Sequence, residues 1–555
     1  MSFIKKLIVL LCLVLCGSLV IACNTTSNNS SESSSGVEDS SLSSESSFVD
    51  SNSSSEDNSS VDSDSSSTEE EIVPVGLEVI DQTTSFTVLE KFLFDGTVYL
   101  EYSDGSKVKI DDYWVEYGNY NKEKIGSYSI KVCTNEFESE YQVSVNRRNT
   151  FKVLMIGNSF SDDTSEYAPM IAKSLGITDV EVGNLFIGGC SINTHYYNLL
   201  NGTAAYDFRY YGTSGAWDYT VGGVKQSLQY AIKYADWDII TFQQASPDSG
   251  VASTYTNLLN LINGVKNLAT NKDVIFLFNM TWAYQANSTH SAFPTYSNSQ
   301  EIMYNSIIGT VQHTVLRHTV ISSIIPNGTA IQNARTSFVG DNLTRDGYHL
   351  SYDLGRYIAG LTLVAKVTGV SPEEVTYAPS GMLSAYVSVA KESASNAINN
   401  PYQVTTSKYT NMESVIPEGY RELSYEEYGW TNTWGFWDSG NGLTTPITNT
   451  ALAEKFVATK RFTKAELPIG SIIVIESGWQ YRPDAWMTNN GKPASRPNNV
   501  SVTYTEVTEE WWGSYAERAF NVSLTSGATL NDGSTPAKYE LAKQAFKIFV
   551  PNTSK

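Results

Sequence analysis

Short apolar runs alternate with amphipathic segments between Thr150 and Thr406, and this alternation constrains the fold more than any other feature of the chain. The runs predict buried strands because they are short and rich in β-branched and aromatic residues. They read FKVLMIG, VEVGNLFI, WDIITFQQ, DVIFLFNM and TVISSIIP, and segments such as TYTNLLNLINGVKNLA between them predict helices. Such alternation indicates an α/β domain with a parallel sheet and helices on both faces, where ligands bind at the carboxyl ends of the strands.

The regions on either side of residues 150–406 predict strands rather than helices. Residues 72–147 contain runs such as TVYLEY and SYSIKV between glycine and aspartate turns, which predicts a β-sandwich that resembles a bacterial immunoglobulin-like domain. It carries no chemical motif, so we expect a spacer or an adhesion module. Residues 407–555 predict a C-terminal β-rich domain that holds seven of the eleven tryptophans. Tryptophan rings stack on the apolar faces of sugars or fill a core, and both roles stay open here.

The N-terminus has the pattern of an exported and lipidated protein. Residues 1–22 carry two lysines, an apolar run and small residues, and they resemble a lipoprotein signal peptide that ends before Cys23. A lipid on Cys23 anchors a protein to a membrane without spanning it, although a plain signal peptide or an uncleaved anchor would share the pattern. Residues 23–71 are almost all serine, asparagine and acidic residues, which predicts a disordered tether. We therefore expect an extracytoplasmic, membrane-anchored protein on the bacterial surface.

The charge and cysteine content exclude several classes of function. The formal net charge of -22 argues against nucleic acid or anionic lipid as the main partner. Cys133 and Cys190 are the cysteines that follow Cys23, and they lie in different predicted domains, so no disulfide framework is expected. Cysteines and histidines nowhere show the spacing of a zinc site. We expect neither a metal nor another cofactor.

A serine lies in the turn after the first strand of the α/β region. The stretch GNSFSDD places Ser159 at the carboxyl end of that strand. A strand–turn–helix can bind phosphate on its free N–H groups, but this stretch lacks the G-x-G-x-x-G spacing and its two aspartates repel an anion. The other interpretation is a nucleophilic serine, which needs a base, an orienting carboxylate and an oxyanion site. The structural alternative is that Ser159 only caps the following helix.

His349 is the strongest candidate for the base among the five histidines of the chain. Asp346 lies three residues before it, and in a turn that enters a helix this spacing lets the carboxylate reach the imidazole. The carboxylate then fixes the tautomer and stabilises the imidazolium that forms during the reaction. A D-x-x-H pair alone is a weak signal, but together with a serine after the first strand it predicts a catalytic triad.

These motifs resemble the SGNH (GDSL-like) hydrolases, and FNMTWAYQ, IIPNGTAIQNAR and TRDGYHLS together resemble a DUF4886-like subgroup of uncharacterised function. GNSFS stands where the family has its nucleophile, and Asp346 with His349 matches the final motif. Gly189 in LFIGGCSI stands where the family has an oxyanion-hole glycine. The resemblance implies a three-layer α/β/α, flavodoxin-like domain in which Ser159, His349 and Asp346 catalyse acyl transfer.

One motif departs from the family pattern. The family usually has an asparagine in G-x-N-D after the third strand, whereas this chain has TFQQAS with Gln243 and Gln244. A glutamine amide can donate the same hydrogen bond to an oxyanion. We assign that role to Gln244, which is followed by a small residue, and we keep Gln243 as the second candidate and as a possible part of the substrate pocket.

The resemblance and the domain arrangement lead to a predicted function. We expect a serine esterase that removes short acyl groups, mainly acetyl, from carbohydrate. The alternatives are an SGNH enzyme that acts on lipid esters or thioesters, and a non-catalytic glycan-binding or adhesion protein. His195 and Trp282 are predicted to line the substrate pocket or to have structural roles. Two roles are open to Arg335 and Arg345, pairing with an acidic sugar or with a structural carboxylate, and we favour the structural role for both.

Overall fold

The computed structural model describes residues 70–430, 433–434, 445–446, 456–475, 479–486, 498–500, 504–524, 543 and 545–552. The predicted signal peptide, Cys23 and nearly all of the predicted tether lie outside these residues. The described fold belongs to the compact unit Ile72–Lys555. No helix within the described ranges is long and apolar enough to cross a membrane.

The N-terminal region forms two small sheets. Strands β1, β3 and β4 make one sheet, and the order in the other is β2-β7-β6-β5. Leu77, Val98 and Val132 come from both sheets and share one buried cluster. The immunoglobulin-like relationship of this region stays a prediction. The strands are β1 (Pro74–Ile80), β2 (Ser85–Thr87), β3 (Thr97–Tyr102), β4 (Lys107–Ile110), β5 (Trp114–Glu116), β6 (Gly126–Cys133) and β7 (Glu138–Asn146).

A seven-stranded sheet lies at the centre of the α/β region, in the order β11-β10-β9-β8-β12-β13-β14. The five strands predicted from the sequence, β9-β8-β12-β13-β14, all run parallel. The pair β10 and β11 extends the sheet antiparallel, an addition that the sequence interpretation missed. The strands are β8 (Thr150–Gly157), β9 (Asp179–Phe186), β10 (Asp207–Tyr211), β11 (Trp217–Asp218), β12 (Ile239–Phe242), β13 (Ile275–Asn279) and β14 (Ile321–Ile325).

The helices of this region fall into two groups by contact. Helices α1, α2, α7 and α9 contact α8, and helices α3, α4 and α5 contact one another. The result is a mixed α/β domain, and its division into three layers stays a prediction. The helices are α1 (Ser159–Ser165), α2 (Ala168–Ser174), α3 (Ile192–Asn201), α4 (Leu228–Ile232), α5 (Leu258–Leu268), α6 (Gln300–Thr310), α7 (Asn327–Arg335), α8 (Leu354–Thr368) and α9 (Ser384–Asn399).

The N-terminal region contacts the α/β region near the amino ends of the parallel strands, whereas Ser159 lies at the carboxyl ends. The Lys122 ammonium group donates a hydrogen bond of 3.0 Å to the carbonyl of Ser322, near the amino end of β14. Lys366 forms a 2.6 Å ion pair with Glu123 near the C-terminal end of α8. Both contacts lie away from the carboxyl ends of the parallel strands, where ligands bind in such sheets.

The C-terminal region is rich in strands, as its sequence predicts. The tryptophans whose side chains are described, Trp430, Trp479, Trp511 and Trp512, belong to its hydrophobic core or pack against it, which supports a structural role for these four. Trp437 and the side chains of Trp434 and Trp486 lie outside the described residues. The elements are β15 (Tyr420–Glu422), α10 (Tyr425–Tyr428), β16 (Thr433–Trp434), β17 (Thr445–Pro446), β18 (Phe456–Ala458), β19 (Phe462–Thr463), β20 (Ile472–Ile475), β21 (Trp479–Trp486), β22 (Tyr504–Glu506), α11 (Glu509–Trp512), β23 (Glu517–Leu524) and β24 (Phe546–Pro551).

Candidate active site

Ser159 is the first residue of α1, directly after a tight junction with β8. Asn158 is the N-cap of the helix, and its side-chain oxygen accepts a 3.0 Å hydrogen bond from the Phe160 N–H. A side chain at Gly157 would approach the Ser161 hydroxyl to 2.5 Å, so only glycine fits at the end of the strand. Because Asn158 supplies the cap, the Ser159 hydroxyl is not needed for capping.

The structure brings Ser159, His349 and Asp346 together in one hydrogen-bonded row. Ser159 Oγ lies 2.8 Å from His349 Nε2, and His349 Nδ1 lies 2.6 Å from Asp346 Oδ2. The other oxygen of Asp346 accepts the N–H groups of Tyr348 and His349. A carboxylate on Nδ1 selects the tautomer whose Nε2 can accept a proton from the serine.

The charge of Asp346 is maintained by these hydrogen bonds. Burial acts to raise the pKa of Asp346, but the bonds from His349 and Tyr348 outweigh it, and the pKa falls below its usual value. Asp346 therefore remains a carboxylate at neutral pH. An ionised partner on Nδ1 stabilises a positive charge on the imidazole ring.

A second carboxylate, Asp163, joins α1 to the loop that carries His349. The side chain is fully buried, and its oxygens accept hydrogen bonds from the Leu350 N–H at 2.9 Å and from Arg345 at 2.9 Å. Arg345 also donates to the carbonyl of Leu350. Asp163 therefore binds the residue just before Asp346 and the residue just after His349.

Arg356 completes this charged cluster from the first turns of α8. Its Nε donates a 2.8 Å hydrogen bond to Asp163, and its terminal nitrogens lie 3.6 Å from Asp162 and 3.4 Å from Glu166. Burial acts to lower the pKa of Arg356, but the three carboxylates outweigh it and the pKa rises. Burial also raises the pKa of Asp163, against the opposing charges of Arg356 and Arg345.

A row of buried side-chain amides crosses the carboxyl ends of the parallel strands. Gln243 donates to Asn158, Asn279 donates to Gln243, and Asn327 donates to Asn279, each at 2.8 Å. Asn158 in turn donates to the carbonyl of Cys190, at 3.1 Å. The row therefore connects the ends of β9, β8, β12, β13 and β14 directly beneath the Ser159 turn.

The Cys190 carbonyl and the Phe160 N–H at one end of the row determine which way each amide group points. The Cys190 carbonyl can only accept, so the amide nitrogen of Asn158 faces it, and the oxygen of Asn158 faces the Phe160 N–H. Each further amide must then present its nitrogen toward Asn158 and its oxygen away from it. The row ends at the buried oxygen of Asn327, which accepts no hydrogen bond from the described residues. The linked amides before it favour one arrangement of the surrounding backbone.

Both glutamines predicted as oxyanion donors are engaged elsewhere. The amide nitrogen of Gln244 donates to the carbonyl and the hydroxyl of Thr254, and its oxygen accepts the Ile192 N–H. The assignment of Gln244 as an oxyanion donor is therefore wrong in this structure. Gln243 is buried in the amide row, so its predicted place in the substrate pocket is wrong as well. The sequence pattern showed the amide groups but not their partners.

Gly189 lies in the turn after β9, close in the chain to the carbonyl that Asn158 holds. Its φ of 64° lies in the left-handed region, and a side chain there would point into open space. Glycine is thus favoured by the backbone conformation rather than by crowding. The open space beside it allows a ligand to approach the turn.

His195 does not line a pocket. It is 1% exposed, and its Nδ1 lies 2.9 Å from the Tyr206 hydroxyl. Burial lowers its pKa to about 3, against a smaller opposing effect of the Gly157 backbone. The predicted pocket role is therefore wrong, and His195 is a neutral histidine in the core below the glycine turn.

Trp282 supports the site from behind instead of forming its wall. The side chain is fully buried and stacks on Phe160, with ring centroids 4.2 Å apart and an angle of 3° between the planes. Phe160 and His349 make a T-shaped contact with ring centroids 5.9 Å apart, and Trp282 donates a 2.7 Å hydrogen bond to the Tyr348 carbonyl. The predicted pocket wall is therefore wrong, because Phe160 lies between Trp282 and the histidine.

The structural roles predicted for two arginines agree with their partners. Arg335 forms a 2.7 Å ion pair with Asp341, and Arg345 pairs with Asp163 as described. The sequence interpretation missed Asp163 itself. Its position four residues after Ser159 places both on one face of a helix, but nothing in the sequence indicates that its partner is the His349 loop.

The described residues contain no group of three or more histidine, cysteine or acidic side chains that could hold a metal ion. Cys133 and Cys190 are buried free thiols, and burial raises the pKa of Cys190 to about 12. The Cys190 thiol contacts the Ser191 carbonyl and His195 Nδ1 rather than Ser159 or His349.

Comparison with known proteins identifies the family. A family model described as "Domain of unknown function (DUF4886)" matches residues 152–397. The crystal structure of a DUF4886 family protein from Bacteroides uniformis ATCC 8492 is 39% identical, covers 47% of this chain and 100% of that chain, and has a TM-score of 0.45. A protein from Slackia heliotrinireducens, described as a proposed SGNH hydrolase, is 17% identical over 39% of this chain and 98% of that chain, with a TM-score of 0.27.

The two likenesses differ in what they support. No curated protein matches the chain. The likeness to the Slackia heliotrinireducens protein is too distant to support a function. The identity of 39% extends over the whole of the Bacteroides uniformis protein, and on that sequence relationship the chain belongs to the DUF4886 family.

Proposed function

We propose that this protein is a serine hydrolase that cleaves esters of short acyl groups, mainly acetyl, on carbohydrate. The observation that carries the proposal is the row from Ser159 Oγ through His349 to Asp346, with contacts of 2.8 and 2.6 Å. A hydroxyl, an imidazole and an ionised carboxylate in this order are the parts of a nucleophilic triad.

The proposed reaction has two acyl-transfer steps. Ser159 Oγ attacks the ester carbonyl while His349 Nε2 takes its proton, and the tetrahedral intermediate then expels the alcohol, which receives that proton. Water attacks the acyl-serine in the second step, again with His349 as base, and releases the carboxylic acid and free serine. Asp346 holds the imidazole and stabilises its positive charge in both steps.

Backbone N–H groups are the proposed oxyanion donors. The N–H of Ser159 lies in the first turn of α1, where backbone donors have no partner within the helix. The Gly189 N–H is the second donor, on a turn whose next carbonyl is tied to Asn158. Gln244 is not one of these donors, because its amide donates to Thr254. Each donor of this kind is typically worth about 10²–10³ in rate.

The openness of the site supports a substrate with a large polar alcohol part. The side chains of His349 and Asp346 are 18% and 39% exposed, so the row of catalytic residues is reached from solvent. Ester bonds on a polymer can reach a site of this shape. Phe160 and Trp282 fill the space behind His349, which leaves no enclosed apolar channel at that position for a long acyl chain.

Hydrolysis of p-nitrophenyl esters of increasing acyl length tests this function. We expect the highest kcat/KM for acetate, a decline beyond butyrate, and release of acetate from at least one acetylated polysaccharide. Activity on decanoate but not on acetate would contradict the short-acyl proposal and favour a lipid esterase. A protein that hydrolyses no ester and binds acetylated polysaccharide would be a binding protein instead.

We also propose that Cys23 carries a lipid and anchors the protein outside the cytoplasm. The support is the sequence alone, namely the two lysines, the apolar run and VIAC before residue 24. Metabolic labelling with a radioactive fatty acid tests this. Wild type should incorporate label and remain with membranes, whereas Cys23→Ala should do neither, and equal labelling of both would contradict the proposal.

A further inference from the structure

A cavity of about 820 Å³ lies beside the loop that carries His349. This volume is within the range of about 300–1,000 Å³ that is usual for ligand sites. Its lining is mostly apolar, and it includes aromatic rings from three separate segments of the α/β region. The side chains that form most of it are Tyr167, Tyr352, Pro379, Met382, Leu383 and Tyr386.

Two of the chain segments that line the cavity also carry the catalytic residues. Tyr352 follows His349 by three residues, so their Cα atoms are at most ~11 Å apart. Tyr167 follows α1, which begins at Ser159, and its hydroxyl donates a 2.8 Å hydrogen bond to the Tyr352 carbonyl. Arg345, the neighbour of Asp346, also lines the cavity. The catalytic row and the cavity therefore share the same two chain segments.

Tyr352 is an exposed ring on a fixed support. It is 63% exposed, although tyrosine rings usually bury most of their surface. The guanidinium carbons of Arg345 and Arg356 lie 4.7 and 4.9 Å from the ring centroid. Both arginines are themselves held by the buried Asp163, so the ring has little freedom to move.

We propose that Tyr352 is the stacking platform of a binding subsite for a neutral sugar chain whose ester is cleaved at Ser159. The inference rests on the proposed esterase function and adds to it the substrate class and the residue that selects it. Sugar rings present apolar C–H faces that fit an aromatic surface, and Ser351, Asp353 and Ser380 supply polar groups around the cavity.

The charges at the cavity favour a neutral sugar over an acidic one. Arg345 is paired with Asp163, and Asp353 caps α8 through the Leu354 N–H. The positive charge of Arg345 is balanced by Asp163, and the negative charge of Asp353 repels a uronic acid or a phosphate group. The distance between Tyr352 and His349 places the subsite a few sugar units from the ester that is cleaved. The hydrolysis of polymers should therefore depend on Tyr352, whereas the hydrolysis of small esters should not.

The first experiment compares kcat/KM for acetylated xylan or acetylated glucomannan with kcat/KM for p-nitrophenyl acetate. We expect Tyr352→Ala to lower the ratio of polymer to small ester about tenfold, the change expected for loss of one stacked aromatic contact. Tyr352→Phe should keep the ratio within about twofold. Tyr425→Ala, which removes a ring of 58% exposure in the C-terminal region, is the matched control and should also keep it.

The second experiment measures binding without catalysis. In affinity electrophoresis through gels that contain the same polymers, Ser159→Ala protein should be retarded, and adding Tyr352→Ala should abolish the retardation. An unchanged ratio with unchanged retardation would overturn the inference. So would a selective loss of p-nitrophenyl decanoate hydrolysis, which would assign the cavity to an acyl chain. Failure of the esterase function would appear differently, as wild type that hydrolyses no ester while the Ser159→Ala protein is retarded.

Discussion

The backbone N–H of Leu350 donates a 2.9 Å hydrogen bond to the buried carboxylate of Asp163. This bond ties the residue after His349 to a side chain one helical turn beyond Ser159. The serine and the histidine lie 190 positions apart in the chain, so their distance depends on contacts of this kind. Asp163 thus acts as a positioning residue for the proposed triad.

Replacing Asp163 with asparagine should weaken both the fold and the reaction. The change leaves the charges of Arg345 and Arg356 without their shared buried partner, and breaking a buried pair typically costs about 3–5 kcal/mol. We expect kcat for p-nitrophenyl acetate to fall about 10²-fold, because displacement of a catalytic group by ~1 Å costs that much. KM should change less than about threefold, since Asp163 does not face the substrate.

Asp162→Asn is the matched control for this variant. Asp162 is the neighbouring acid and pairs with Arg209 and, at 3.6 Å, with Arg356, but the Leu350 N–H donates to Asp163 and not to Asp162. Urea unfolding and steady-state kinetics on both variants compare the two positions. Equal losses of kcat in the two variants would argue that charge near α1, and not the bond to Leu350, determines the activity.

Because only Gln243 belongs to the amide row, we expect substitutions of Gln243 and Gln244 to have different effects on stability and kcat. Gln243→Leu removes the link between Asn158 and Asn279, and each buried polar group left without a partner costs about 1–3 kcal/mol. We expect lower stability and a fall in kcat of about tenfold or more, because Asn158 then holds the Ser159 turn less firmly. Gln244→Leu should lower kcat less than about tenfold. A loss of about 10²–10³ in Gln244→Leu would restore it as an oxyanion donor.

Because His195 is buried and neutral, we expect the free energy of unfolding to depend on pH. Its pKa is about 3 in the folded protein and 6.5 ordinarily, so between these values the unfolded chain binds the extra proton. Its contribution to stability is complete above pH 6.5 and is lost as the pH falls toward 3. Between pH 7 and pH 5, wild type should lose about 2 kcal/mol more than His195→Gln in urea unfolding. Parallel losses in the two proteins would contradict the buried neutral histidine.

Sequence patterns predicted the parallel strands and the row of Ser159, His349 and Asp346 because both depend on local rules. Five apolar runs of strand length alternate with helices, which leaves few arrangements for the sheet. The strand-end rule then places a serine after the first strand near other strand ends. The short D-x-x-H spacing brings Asp346 to His349 within one turn of the chain.

The partners of buried polar side chains were not predictable in the same way. Gln243 and Gln244 are adjacent and chemically identical, yet one joins the amide row and the other binds Thr254. The difference arises from which face of the chain after β12 each side chain takes. Trp282 follows the end of β13 and His195 lies in α3 after β9, but packing places both in the core. Hydrophobic periodicity carries no information on such long-range partners.

The central claim is that Ser159 is a nucleophile activated by His349. The most direct measurement is mass spectrometry of the protein after reaction with a fluorophosphonate probe, followed by peptide mapping of the adduct. We predict one adduct per chain on Ser159, none in Ser159→Ala, a much slower reaction in His349→Ala, and normal labelling in Ser161→Ala, whose hydroxyl bonds to Asn184. Absence of an adduct in folded wild type, or an equal adduct in Ser159→Ala, would contradict the claim.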